Sequence, residues 1–74
     1  MSKIKIKECL DHKKLEELGY NYSIMEGGYI SKDGATIVNI DRRPYRREVA
    51  QYRANVEIEH MKNVAELRQI NALE

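Results

Sequence analysis

Residues 45–74 contain neither glycine nor proline, and residues with good helix propensity dominate them. Pro44 stands just ahead of this run, in the first helical turn, where its missing N–H costs nothing. The pattern predicts one helix over residues 44–73, roughly 30 residues and about 45 Å long. A sheet of short strands is less than half that length. The helix is therefore expected to overreach its own domain, with residues 57–74 projecting as a dimerisation extension.

Two apolar stripes run along this expected helix. At about 100° per residue, Tyr45, Val49, Tyr52 and Val56 fall in one sector, continued loosely by His60, Leu67 and Ile70. That stripe suits docking on a sheet. Ala50, Ala54, Ile58, Met61, Ala65 and Ala72 fall on the opposite side. One stripe docks a helix, and a second requires another partner. Small alanines let two helices approach closely, and Met61 can fill irregular gaps. Ala54, Ile58, Met61 and Ala65 are the expected homodimer seam. Alternatively, the alanines are only good helix formers and Ile58 and Met61 scattered surface apolars.

The charge distribution offers a second candidate. The net charge is +1, yet between positions 42 and 53 Arg42, Arg43, Arg46, Arg47 and Arg53 stand against Glu48 alone. Residues 54–74 are acidic, with Glu57, Glu59, Glu66 and Glu74 against Lys62 and Arg68. An antiparallel seam would set the basic half of one helix beside the acidic half of the other. On a helix starting near Arg43, the residues Arg43, Arg46, Arg47 and Arg53 share one broad side. Guanidinium groups pair with phosphates through two hydrogen bonds, so this side is the candidate nucleic-acid contact. The near-neutral total argues against a dedicated nucleic-acid binder.

Upstream, Ile4 and Ile6 alternate with Lys3, Lys5 and Lys7, the period-two signature of a half-buried strand with lysines protecting an edge. Asp11 is a good N-cap for a short helix at about residues 12–18, with Leu10 stapling to Leu15 and Gly19 ending it. Asp33-Gly34 is a favoured hairpin pair, and Glu26-Gly27 a weaker turn signal. Two-residue loops at both places predict a three-stranded meander. Tyr22 then opposes Ser31, Ile24 opposes Tyr29, Tyr29 opposes Val38, and Ile30 opposes Ile37. Tyr20, Tyr22, Ile24, Tyr29, Val38 and Ile40 share one face, the one the long helix needs. Met25, Ile30 and Ile37 lie on the other, where they form an exposed patch unless another element covers them.

These features amount to an α+β chain: short strand, short helix, three-stranded antiparallel meander, long C-terminal helix, all in one domain over residues 1–74. A chain of 74 residues has a core too small to divide, and small domains often gain stability by self-association. Its 42% apolar and 34% charged residues suit a folded, soluble chain. No apolar run is long enough for a membrane span, and residues 1–5 lack the apolar core of a signal peptide, so the expected setting is cytoplasmic with no membrane partner. One cysteine excludes an internal disulfide, and Cys9, His12 and His60 have no metal-ligand or nucleophile–base spacing; Cys9 reads as a small apolar filler. No catalytic residue, cofactor or metal is expected. Leu18-Gly19-Tyr20, Gly28-Tyr29-Ile30 and residues 37–41 resemble short proteins of bacteria and their phages in composition, a likeness that implies no activity. The leading reading is a non-enzymatic interaction or regulatory protein, a homodimer whose further protein partner the sequence does not identify. The alternative is a nucleic-acid-binding protein.

Overall fold

A computed structural model describes residues 4–74; of the N-terminal lysine row, Lys3 lies outside the described residues. The elements run β1 (Ile4–Lys5), α1 (His12–Glu17), β2 (Asn21–Ser23), β3 (Gly28–Ile30), β4 (Thr36–Asn39), β5 (Glu48–Gln51) and α2 (Glu57–Gln69). The strands form one antiparallel sheet in the order β1-β5-β4-β3-β2.

The first half follows its local chemistry. Ile4 is half-buried, Lys5 exposed and Ile6 buried, and β1 lies at a sheet edge as its lysines suggest. The Asp11 side chain accepts a hydrogen bond from the Lys13 N–H and caps α1, whose Leu15 is wholly buried. Tyr29 opposes Val38 and Ile30 opposes Ile37, as the Asp33-Gly34 turn implies. The β2–β3 pairing differs. Tyr22 opposes Tyr29 and Ser23 opposes Gly28, because the turn uses residues 24–27 rather than two residues. A slip of two positions preserves side-chain parity, so the residues that remain in strands keep their expected faces, while Ile24 and Met25 move into the turn.

The single long helix does not form, and the three-stranded meander is part of a five-stranded sheet. Residues 48–51 are instead β5, which pairs with β4 on one side and β1 on the other. Without β5, the backbone of β4 would be left as an unpaired edge. Pairing on both sides satisfies its polar groups and buries Val49 between Ile4 and Val38, a gain that exceeds small differences in helix propensity. Arg47 (φ 62°) and Asn55 (φ 64°) bracket β5 in the left-handed region, which no α-helix passes through. The helix resumes only at Glu57 and has 13 residues, about 20 Å.

Residues 57–74 therefore do not project. The structure measures 30 × 26 × 25 Å, shorter on every axis than the expected rod. Leu67 of α2 is buried, and beyond the helix Ala72 and Leu73 are buried too, with Leu73 bridging to Ile6. Both helices lie on one face of the sheet. There Ile6, Leu15, Tyr20, Tyr29, Val38, Val49, Leu67, Ala72 and Leu73 form the core. Burying Leu15 and Leu67 alone contributes about 1.5–3 kcal/mol each.

Candidate functional site

Docking of α2 divides its side chains cleanly. His60, Val64 and Ile70 are partly buried and Asn63 and Leu67 fully so, whereas Ile58 is 75% exposed, Met61 70% exposed, and Ala65 exposed. Ile58, Met61 and Ala65 follow three- and four-residue steps, so they share the outer face. A groove of about 280 Å³ runs beside them, lined by Ile4, His60, Met61, Val64, Ala65 and Arg68. Three of the four expected seam residues thus come together. Ala54 is exposed in the turn before α2, and Ala72 from the same expected stripe is in the core. The flanking charges are ordered: Glu57 and Glu59 occupy the first turn and Arg68 the last.

The inner side of α2 is pinned by a polar chain that sequence reading did not anticipate. The Asn63 side-chain amide donates to the Thr36 hydroxyl at 3.0 Å and to the Asp33 carboxylate at 3.2 Å. Thr36 Oγ1 lies 2.8 Å from His60 Nδ1. Thr36 can donate its own proton to His60 while accepting from Asn63, an arrangement that fits a neutral imidazole accepting at Nδ1. Burial lowers the His60 pKa and favours the same state. At the other end, the Ser31 hydroxyl donates to Asp33 at 2.6 Å, and the Ala35 N–H donates to the same carboxylate oxygen at 3.0 Å. The Ser31 hydrogen bond is the main reason the Asp33 carboxyl sits below its ordinary pKa. Thr36 is wholly buried and cannot meet a substrate, so the chain joins the β3–β4 turn to α2. The four- and five-residue spacings of Ser31, Ala35 and Thr36 around Asp33-Gly34 hint at the turn; nothing in the sequence links them to Asn63.

The arginines are regrouped. Arg42, Arg43, Arg46 and Arg47 lie in the exposed loop joining β4 to β5, and no helix begins near Arg43 to add the partial charge of its N-terminus. Arg53 lies beyond the opposite end of β5, over the Tyr52 ring and near Gly34. The expected set is therefore divided, with Arg43, Arg46 and Arg47 together and Arg53 apart. The β2–β3 turn packs against the basic loop. Gly27 O accepts from Ile40 N at 3.0 Å and from Asp41 N at 2.8 Å, and Glu26 pairs with Arg42 at 3.8 Å. Ile24 and Met25 stand at this tip, 86% and 92% exposed. Met25 thus lies apart from Ile37, which is 5% exposed, and the expected Met25/Ile30/Ile37 patch does not form.

The tyrosine face is closed. Tyr20 and Tyr29 are buried, and Tyr22 stacks edge-on against Tyr29 while its hydroxyl donates to Asp41. Burial, with Glu66 and then Asp33 nearby, raises the Tyr20 hydroxyl above the ordinary phenol range. His12 Nδ1 lies 3.0 Å from the Tyr29 hydroxyl, tying α1 to β3. Cys9 is exposed, not the core filler expected of it. Among the described residues, no group of three His, Cys, Asp or Glu side chains is placed to hold a metal ion, and no helix is long and apolar enough to cross a membrane. No family model, curated protein or solved structure matches this chain.

Proposed function

We propose that this protein works by binding rather than catalysis, as a homodimer joined through the outer face of α2. The observation that carries the reading is the pair Ile58 and Met61, two large apolar side chains exposed side by side on a helix whose other face is fully engaged. Charge order favours a second copy in the antiparallel sense. Two α2 helices crossing near Met61 and Ala65 set Glu57 and Glu59 of each against Arg68 of the other, and their dipoles oppose. The face is short, so the dimer belongs at the small end of interfaces, below about 1,200 Å², with an affinity in the micromolar range. The single exposed thiol of Cys9 suits a reducing compartment and supports a cytoplasmic setting as part of this reading. Light scattering across concentration tests it. The mass should rise to twice the chain mass at high concentration and stay at one chain mass for Ile58→Asp with Met61→Asp. A wild type that remains monomeric at millimolar concentration sinks the reading.

The grouping of Arg43, Arg46 and Arg47 in one exposed loop supports a second reading, contact with nucleic acid. Three phosphate contacts predict a salt slope (log K against log salt) of about −2.7 on duplex DNA. A slope near zero removes this reading without touching the first.

A further inference from the structure

We propose that the tip built by the β2–β3 turn and the β4–β5 loop docks on duplex DNA, with Ile24 and Met25 as an apolar wedge between base steps and Arg43, Arg46 and Arg47 on the flanking phosphates. This deepens the second reading above and rests on it. The turn has no conformational need for two large aliphatic side chains at its apex. Its backbone is held by the Gly27 N–H on Ser23 O at 2.9 Å and by Gly27 at φ 71°, yet Ile24 and Met25 are 86% and 92% exposed.

The turn that carries the wedge packs against the start of the cationic loop. Gly27 O takes two hydrogen bonds from the opposite loop, and a Cβ on Gly27 would fall 2.7 Å from the Arg42 Cβ, so the two segments are in close contact. The acids of the tip are already engaged: Glu26 pairs with Arg42, and Asp41 accepts from the Tyr22 hydroxyl. Arg43, Arg46 and Arg47 remain exposed, with the half-exposed Tyr45 among them. Guanidinium forks match phosphate oxygens through paired hydrogen bonds.

The amount of apolar surface separates a duplex from an anionic bilayer. A single myristoyl chain gives only marginal membrane binding, and two side chains offer less apolar surface than that. Minor-groove proteins kink the duplex by inserting apolar side chains such as Ile or Met between base steps, while cationic residues contact the groove and backbone.

Fluorescence anisotropy on a duplex of about 20 base pairs, over a salt series, tests the proposal, with end-to-end energy transfer reporting bending. The wild type should bind with a slope of about −2.7, and Arg43→Ala, Arg46→Ala and Arg47→Ala combined should abolish binding. Ile24→Ser with Met25→Ser should weaken binding about tenfold and remove the bend while leaving the slope unchanged, since no phosphate contact is lost. Far-UV circular dichroism checks that both variants keep the fold. Duplex binding with the expected slope but indifferent to Ile24 and Met25 overturns the wedge and spares the loop reading. Absence of duplex binding at the lowest salt overturns both. Binding to vesicles of phosphatidylserine and phosphatidylcholine that needs Ile24 and Met25, without duplex binding, assigns the tip to a bilayer instead.

Discussion

The Thr36 hydroxyl and His60 Nδ1 lie 2.8 Å apart, and through this contact the centre of the sheet holds the first turns of α2. Burial of His60 favours the neutral imidazole, which can accept the Thr36 proton at Nδ1. Protonating His60 would place a positive charge in a half-buried setting. The folded-state pKa of His60 therefore lies below its ordinary 6.5, with burial as the cause. Between those two values the unfolded chain binds more protons than the folded one, so stability falls as pH falls. The urea midpoint should be level above about pH 7 and decline from pH 6.5 downward. His60→Gln should flatten that decline. A second loss should begin below the ordinary 3.8 of Asp33, whose folded pKa is also lowered, because the unfolded carboxylate protonates first as pH falls. An unchanged pH profile in His60→Gln would assign the upper decline to other groups.

Asn63 is the joint of the same chain. Its amide nitrogen serves both Asp33 and Thr36, and the residue is 8% exposed. Asn63→Ala leaves the buried Thr36 hydroxyl without a donor and releases the β3–β4 turn from α2. The expected loss is about 1–3 kcal/mol in urea unfolding. If Asn63→Ala unfolds like the wild type, the chain is not what fixes α2.

Gly28 reports on the β3–β4 pairing. A Cβ there would stand 2.0 Å from Val38 O and 2.9 Å from Val38 C, backbone atoms of the neighbouring strand that no side-chain rotation can move aside. Gly28→Ala should cost about 2–4 kcal/mol, near the upper range for single substitutions. A normal melting temperature for this variant would mean that β3 and β4 are not held at this separation.

What could be read from the sequence was local. Asp11 is adjacent to the helix it caps, and Asp33-Gly34 to the hairpin it closes, so both announce themselves within a few residues. Although the β2–β3 register differs from the two-residue turn expected, the residues still in strands keep their faces, because the shift is an even number. β5 is different. Val49 is its one fully buried apolar residue, and four residues are too few for a period of two to outweigh the helical spacing of Val49, Tyr52 and Val56. The deciding interactions are its pairings with β1, more than forty positions upstream, and with β4. Asn55 is a residue tolerant of left-handed backbone and could have marked a break; Arg47 carries no such signal. The arginine cluster shows the same boundary. Its composition was plain, but the separation of Arg53 from Arg43, Arg46 and Arg47 depended on whether the segment between them was a helix or a strand.

Leu67 and Ile58 test how α2 sits, because they occupy the same helix and differ in what surrounds them. Leu67 is 1% exposed within the core, whereas Ile58 is 75% exposed on the outer face. Leu67→Ala removes buried methyl groups and leaves a cavity between α2 and the sheet, at a cost of about 2–5 kcal/mol. Ile58→Ala, measured in dilute solution where the dimer is dissociated, should change stability by no more than about 0.5 kcal/mol. Raising the concentration should then separate the wild type from Ile58→Ala, because assembly adds stability only to the form that can associate. The docked helix thus predicts a large core effect independent of concentration and a small surface effect that grows with it. A projecting helix predicts two small effects in dilute solution, so the ratio measured there distinguishes the two arrangements.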